Sequence, residues 1–402
     1  MLRLGFSVFA IQAGFHGFTA SLPVALARAG VSNAEIGLIV GMAALVQVPA
    51  AFVAGAVVDR IGGLRVLAIG GAAYLVGCAI LLLPGVEPGG SSVPFLIARF
   101  FQGVGIAGNL PAAMSLVPRL TSLRRRGVGL AFVGSAHNLT MVAMPPVSIA
   151  ILSATSLHGV ALTMTLVVAA GVALVLLIPF HFREPEGADP TIAAHPVARR
   201  HLGLALRPTW IPLLAMVVLY ITHWGVIVAY LPQRAEAAGA DIGLFFAADG
   251  VAVLLSRVPA GWLADHVRSI YLILAGLIVS GTSVALLTAP PTTPLLIVAG
   301  LLGGAGGGLV MTPILLELAG RSSDPDRGSA FSLFSAALAS ALVVGSIGAA
   351  PVVQTLGFEA ALFVGLAGIV GAALIGLSDG QLRAHPDAER HVAALERTAD
   401  IP

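Results

Sequence analysis

The 402-residue chain is 57% hydrophobic and only 10% charged, with 21 basic residues, all arginine, against 19 acidic ones. Soluble domains devote roughly a quarter of their residues to charge, so there are too few ions here to coat a water-facing globule, and the outer surface must meet lipid. The lone Cys78 excludes an intrachain disulfide framework and a cysteine-rich metal site, and the net charge of +2 is explained by the sidedness of arginine rather than by nucleic acid.

A stretch of about 20 apolar residues crosses the hydrocarbon core as a helix. Twelve such stretches occur, the first six over about 6–27, 36–57, 66–84, 94–117, 128–150 and 160–180. The second six run over about 210–231, 242–263, 270–288, 295–317, 329–352 and 359–377. Between the sets, His181 to Pro208 gathers Arg183, Glu184, Glu186, Asp189, Arg199, Arg200 and Arg207 with four prolines, which reads as a polar linker. The expected organisation is a six-helix bundle over 1–180, a linker over 181–208, a second bundle over 209–380 and a tail over 381–402. The first span is too long for a secretion signal and carries Gln12 and His16, which suit a helix facing a protein interior.

Short loops rich in arginine stay in the cytoplasm. With the N-terminus inside, 17 arginines fall in cytoplasmic segments, only Arg28 and Arg234 fall outside, and Arg99 and Arg257 lie within spans. A multi-pass protein of the cytoplasmic (inner) membrane with both termini inside is expected.

The two halves repeat. Glu35-Ile36-Gly37-Leu38 recurs as Asp241-Ile242-Gly243-Leu244 and Asp59 recurs as Asp265, both at an offset of 206. Arg126-Gly127 recurs as Arg327-Gly328 at 201, and His16 has a near counterpart in His223 at 207. Two similar rigid bodies joined by a linker can rock about a site at their interface.

The loop after the second span reads Gly55-Ala56-Val57-Val58-Asp59-Arg60-Ile61-Gly62-Gly63-Leu64-Arg65. It resembles the G-x-L-x-D-R-x-G-R-[RK] signature of the major facilitator superfamily, with Gly63 at a usually basic position and Val57 for the usual Leu. The resemblance implies an all-α membrane fold of 12 transmembrane helices in two pseudo-symmetric bundles, and a conformational latch at Gly55, Asp59, Arg60, Gly62 and Arg65. The second copy keeps Gly261 and Asp265 but lacks the later glycine, a weakened latch. Arg99-Phe100-Phe101-Gln102-Gly103-Val104-Gly105 is similar to the R-x-x-Q-G-x-G pattern of proton-coupled members. The G-x-x-x-G-P-x-x-G-G pattern of antiporters is absent from the fifth span, where Gly134-Ser135-Ala136-His137-Asn138 leads to Pro145-Pro146.

The same resemblance implies that spans one, four, seven and ten line a central cavity, which gives the polar residues there first claim on solute. Gln12 and His16 on the first span, Gln102 and Asn109 with Arg99 on the fourth, and Tyr220, Trp224 and Tyr230 with His223 on the seventh are candidates, joined by His137, Asn138 and Arg257. An arginine or a carboxylate at membrane depth is costly and needs a cavity or a partner. Arg99 either faces the cavity or reaches the outer interface, and Asp249, two turns into the eighth span, either exchanges a proton or pairs with Arg257. Asp249, Arg99, His223 and Glu317 are therefore the proton-coupling candidates. Gly303, Gly304, Gly306, Gly307 and Gly308 lack the lysine of a phosphate loop and suit close helix packing.

No nucleotide-binding motif, H-E-x-x-H or other catalytic constellation occurs, so no cofactor, no metal and no enzyme activity is expected. The expected function is secondary active transport of a small organic solute by alternating access, proton-coupled and outward, in a monomer whose partners are solute, protons and lipid bilayer. Proton-coupled import of a sugar or organic acid, and lipid flipping on the same fold, stay open at this point.

Overall fold

A computed structural model describes residues 1–122, 126–178, 207–322 and 326–383. The expected linker up to residue 206, the expected tail from residue 384, and Arg124 and Arg125 lie outside the described residues. The first half comprises α1 (Leu2–Arg28), α2 (Asn33–Ile61), α3 (Gly63–Ile80), α4 (Val93–Ala107), α5 (Asn109–Leu120), α6 (Arg126–Ala154) and α7 (Leu157–Leu176). The second comprises α8 (Ile211–Ala237), α9 (Ile242–Ala264), α10 (Ser269–Leu286), α11 (Thr293–Gly320), α12 (Arg327–Val343), α13 (Ala350–Leu356) and α14 (Phe358–Ser378). Among the described residues there is no strand, and 12 helical spans are long and apolar enough to cross a membrane.

Two spans are interrupted, each just ahead of a proline. Pro111 has no N–H to give and its ring crowds the carbonyl four residues back, so the fourth span breaks at Gly108 into α4 and α5. Pro351 has the same effect in the eleventh span, where a π turn, Val344–Gly348, carries the bond from the Ala349 N–H to the Val344 carbonyl. Gly345 in that turn touches α8, where a Cβ would stand 2.1 Å from the Thr222 carbonyl oxygen. Starts are capped by local chemistry: Ser32 and Glu35 form a reciprocal capping box on α2, and the Asp241 carboxylate accepts from the Gly243 and Leu244 N–H groups on α9.

The packing repeats as the sequence does. In the first bundle α1 lies against α6 and α7, and α4 against α2 and α3. In the second, α8 lies against α12 and α14, and α11 against α9 and α10. Side chains such as Leu255, Val258 and Ile278 point outward, as a lipid-facing surface requires. Inside, small residues let backbones approach. The α11 glycine run seats α9: a Cβ on Gly300 would stand 2.4 Å from the Phe245 carbonyl oxygen, and one on Gly304 2.1 Å from that of Asp249.

The termini and the linker ends share one end of the molecule; the two bundles meet chiefly at the other, the far end. There Arg28 pairs with Glu236 at 2.5 Å, and Gln233 Nε2 donates to Asn33 Oδ1 at 3.0 Å. Gly37 of α2 lies against the Tyr230 hydroxyl and the Ser346 carbonyl, while Gly243 of α9 lies against Pro146 of α6. The repeated Ile-Gly pair thus places one glycine from each half against the opposite bundle.

Candidate functional site

Between the bundles, beneath this far-end seal, lies a cavity of about 770 Å³, its open mouth included. Its apolar wall is strongly aromatic: Phe15 and Phe18 from α1, Trp224 from α8 and Phe246 from α9, with Met141 and Pro145 from α6. His16, Thr19, Arg99, Asp249 and Ser346 supply the polar part. Spans two, five, eight and eleven contribute alongside one, four and seven. The tenth is not in this wall, because its glycine face is spent on α9; that corrects the expectation that it would line the cavity.

Arg99 is 7% exposed and faces inward rather than reaching an interface. Its guanidinium donates to the Ile39 carbonyl (3.3 Å), the Val40 carbonyl (3.0 Å) and Gln102 Oε1 (2.9 Å), and stands 5.6 Å from the Phe15 ring centroid. These contacts fix the side chain without a counter-charge. Asp249, 5% exposed on the opposite wall, makes no hydrogen bond and no ion pair among the described residues. Arg257 does not neutralise it, because its Nη1 donates instead to Asn138 Oδ1 of α6 at 3.1 Å. His16 and His137 meet edge to face with ring centroids 5.9 Å apart, and His16 Nε2 and His137 Nδ1 are buried without partners. Gln12 Oε1 and both amide atoms of Asn109 are likewise buried and unpartnered, outside the cavity wall.

Several candidates sit elsewhere. Tyr220 shares a hydrogen bond with Ser280 (2.8 Å), Tyr230 donates to the Ser346 carbonyl (2.5 Å), and Gln102 holds Arg99. His223 is packed against Gly365 of α14, its Nδ1 against the Tyr220 carbonyl. The reason is its offset of 207: the repeat runs at 206, which makes Thr222 the counterpart of His16, and one residue turns a helix by about 100°. Glu317 accepts from Ser269 (2.5 Å) and meets Arg321 (3.4 Å), which also pairs with Asp379 (2.8 Å), a tie at the terminal end of the second bundle. Of the latch residues, the side chains of Gly55 and Asp59 lie outside the described residues. Gly62 has φ 86°, a value that suits glycine at the α2–α3 junction. Arg60 is exposed, Arg65 Nη1 reaches the Ile61 carbonyl (3.4 Å), and Asp265 is exposed at the end of α9.

The family model of the Major Facilitator Superfamily matches residues 4–241 and, separately, 213–396, so each half satisfies it. The chain belongs to the Major Facilitator Superfamily. It is thereby grouped with membrane transporters rather than enzymes, and solved superfamily-like structures share its fold. A point mutant of the nucleoside transporter NupG superposes with TM-score 0.74 at 11% identity, covering 94% of this chain and 98% of that one. A POT family transporter in complex with 5-aminolevulinic acid gives 0.72 at 16% identity, covering 94% and 95%. Another, in complex with a thioalcohol-conjugated peptide, gives 0.71 at 15%, also covering 94% and 95%. At such identities the likeness is one of fold.

The aromatic wall is what sequence reasoning missed in this Major Facilitator Superfamily chain. Phe15, Phe18 and Phe246 are apolar residues in apolar helices, and hydropathy does not tell a cavity-facing phenylalanine from a lipid-facing one. The spacing of Phe15 and Phe18 beside His16 was the available signal.

Proposed function

We propose that this protein is a proton-coupled secondary transporter that exports a small organic solute across the cytoplasmic membrane, with both termini cytoplasmic. The observation that carries this reading is Asp249, a carboxylate on the wall of the interbundle cavity with no partner of its own among the described residues. A bare carboxylate in a closing, water-poor space is costly. The cavity therefore closes readily only when Asp249 holds a proton or a hydrogen-bond donor on the solute faces the carboxylate in its place. Arg99, fixed on the other bundle by three hydrogen bonds, keeps a second charge in the same space without cancelling the first.

The cycle follows from that constraint. In the arrangement described, the far end is sealed, so solute enters from the terminal, cytoplasmic side as Asp249 gives up its proton. After the bundles rock, the far end opens, solute leaves, and Asp249 is reprotonated from outside. One proton moving with the membrane potential supplies about 2.3 kcal/mol per 100 mV, enough to build a useful gradient.

The test is transport in proteoliposomes, on a solute found by a thermal-shift screen. Asp249→Asn, a neutral isostere, is expected to keep its melting temperature and solute exchange while losing accumulation driven by a pH gradient. Accumulation at the wild-type level in that variant would reject the assignment.

A further inference from the structure

The seam between α6 and α9 carries a second feature that the coupling site does not use. Along α9, Gly243, Gly250 and Arg257 recur every seven residues, two helical turns apart, and meet Pro146, Val142 and Asn138 of α6 in order. The first two rungs are backbone-close glycine contacts. The third is an arginine, and it is exposed; the lining of the cavity comes nearest to it at Met141, three residues along α6 from Asn138, and at His16. An arginine at membrane depth is tolerated when it faces a watery cavity or a partner. Among the described residues Arg257 has no acidic partner; one of its five N–H groups goes to Asn138 Oδ1.

The groups around it are able to donate. With Asn138 Oδ1 turned to the guanidinium, the amide nitrogen of the same side chain remains beside it. His137, the residue before Asn138 on α6, has a buried, unpartnered Nδ1. His16 adds a buried, unpartnered Nε2 at a ring separation of 5.9 Å from His137 and itself lines the cavity. The acid lining the cavity, Asp249, is eight residues back along α9, roughly 12 Å of helix rise toward the far end. Arg99, the other cation, is held by the Ile39 and Val40 carbonyls and Gln102.

We propose that Arg257, Asn138, His137 and His16 form an oxyanion site at the terminal mouth of the cavity, so that the transported solute bears a carboxylate or phosphate behind an apolar, aromatic-sized body. The reading deepens the proposed transport function and rests on it. A guanidinium fork matches either oxyanion through two parallel N–H bonds. Farther along α6 from Asn138, Met141 joins Trp224 and Phe246 in the cavity wall and offers the body an apolar, aromatic surface.

Because Trp224 lines the cavity, binding can be read from tryptophan fluorescence in purified full-length protein, with Trp224→Phe as the control for its source. The probes are phenylacetate, phenyl phosphate, phenylacetamide and phenethylamine. Both anions, or one of them, should bind about tenfold or more tightly than the neutral amide and the amine, as expected for charge-assisted hydrogen bonds. The tighter of the two anions identifies the oxyanion. Arg257→Gln should erase that preference by weakening the anions far more than the amide, and Asn138→Asp, which neutralises the guanidinium in place, should do the same in a variant that keeps the interbundle contact. Equal binding of amide and anions, preference for the amine, absence of binding by both anions, or an unaltered preference in both variants overturns the proposal. Gradient-driven transport of a neutral or cationic solute, lost in Asp249→Asn, would leave the coupling reading standing while this one falls.

Discussion

Arg99 shows how one residue ties solute space to helix packing. Its guanidinium takes carbonyls of α2 that already serve the helix ladder, and it orients Gln102 on its own helix. Removing it leaves Gln102 Oε1 buried without its donor and opens a gap beside Phe15. Arg99→Ala should therefore lower stability by about 1.5–3 kcal/mol, the scale of a hydrogen bond to a charged group, with Arg99→Lys falling between, as thermal unfolding in detergent would measure. The sequence marked Arg99 and Asp249 because a charge at membrane depth stands out against apolar neighbours. It misled at His223, where residue type was matched without respecting a one-residue difference in offset, and it was silent on Phe15 and Phe246, whose chemistry is that of the lipid-facing surface.

At the scale of elements, the far-end seal depends on glycines more than on charge. A Cβ on Gly243 would stand 2.7 Å from Pro146 Cα, and one on Gly37 2.5 Å from the Ser346 carbonyl oxygen, so neither helix can keep its seat with a larger residue. Gly243→Leu and Gly37→Leu should hold the far end open. A cysteine introduced at Thr19 on the cavity wall, in a Cys78→Ser background, should then react faster with an impermeant maleimide applied from the far side. The Arg28–Glu236 pair is a lesser fastening: its side chains are 42% and 36% exposed, and such pairs contribute about 1 kcal/mol or less. Glu236→Gln should raise the same labelling rate by a few-fold at most, and high salt should reproduce its effect on the wild type. These helices were legible in the sequence from their length and apolarity, and their ends lie within about six residues of those expected. The interruptions at Gly108 and Val344–Gly348 were not, because a proline inside a long apolar run looks, to hydropathy alone, like continuation.

For the whole molecule, the repeat in the sequence translates into repeated packing, α1 on α6 and α7 answering α8 on α12 and α14. That much followed from the offset of 206 and from the even number of spans. Which faces meet across the bundles did not follow, since surfaces that pair only in the assembled protein carry no period of their own. Asymmetry entered after duplication. Gln12, His16, Tyr74, Asn109 and His137 hold buried polar atoms without partners in the first bundle, whereas in the second Tyr220, His223, Tyr230, Ser280 and Ser283 are satisfied by one another or by backbone, and Asp249 with the Nε atoms of Arg234 and Arg321 is not. The two copies carry different loads: the first holds most of the buried side-chain atoms left without a partner, and the second holds the bare carboxylate of Asp249. A library randomised at the cavity-facing His16 and Trp224 should retune what the protein accepts without loosening its frame, and the same effort spent on the engaged Tyr220, Ser280 and Ser283 should yield mostly unstable chains.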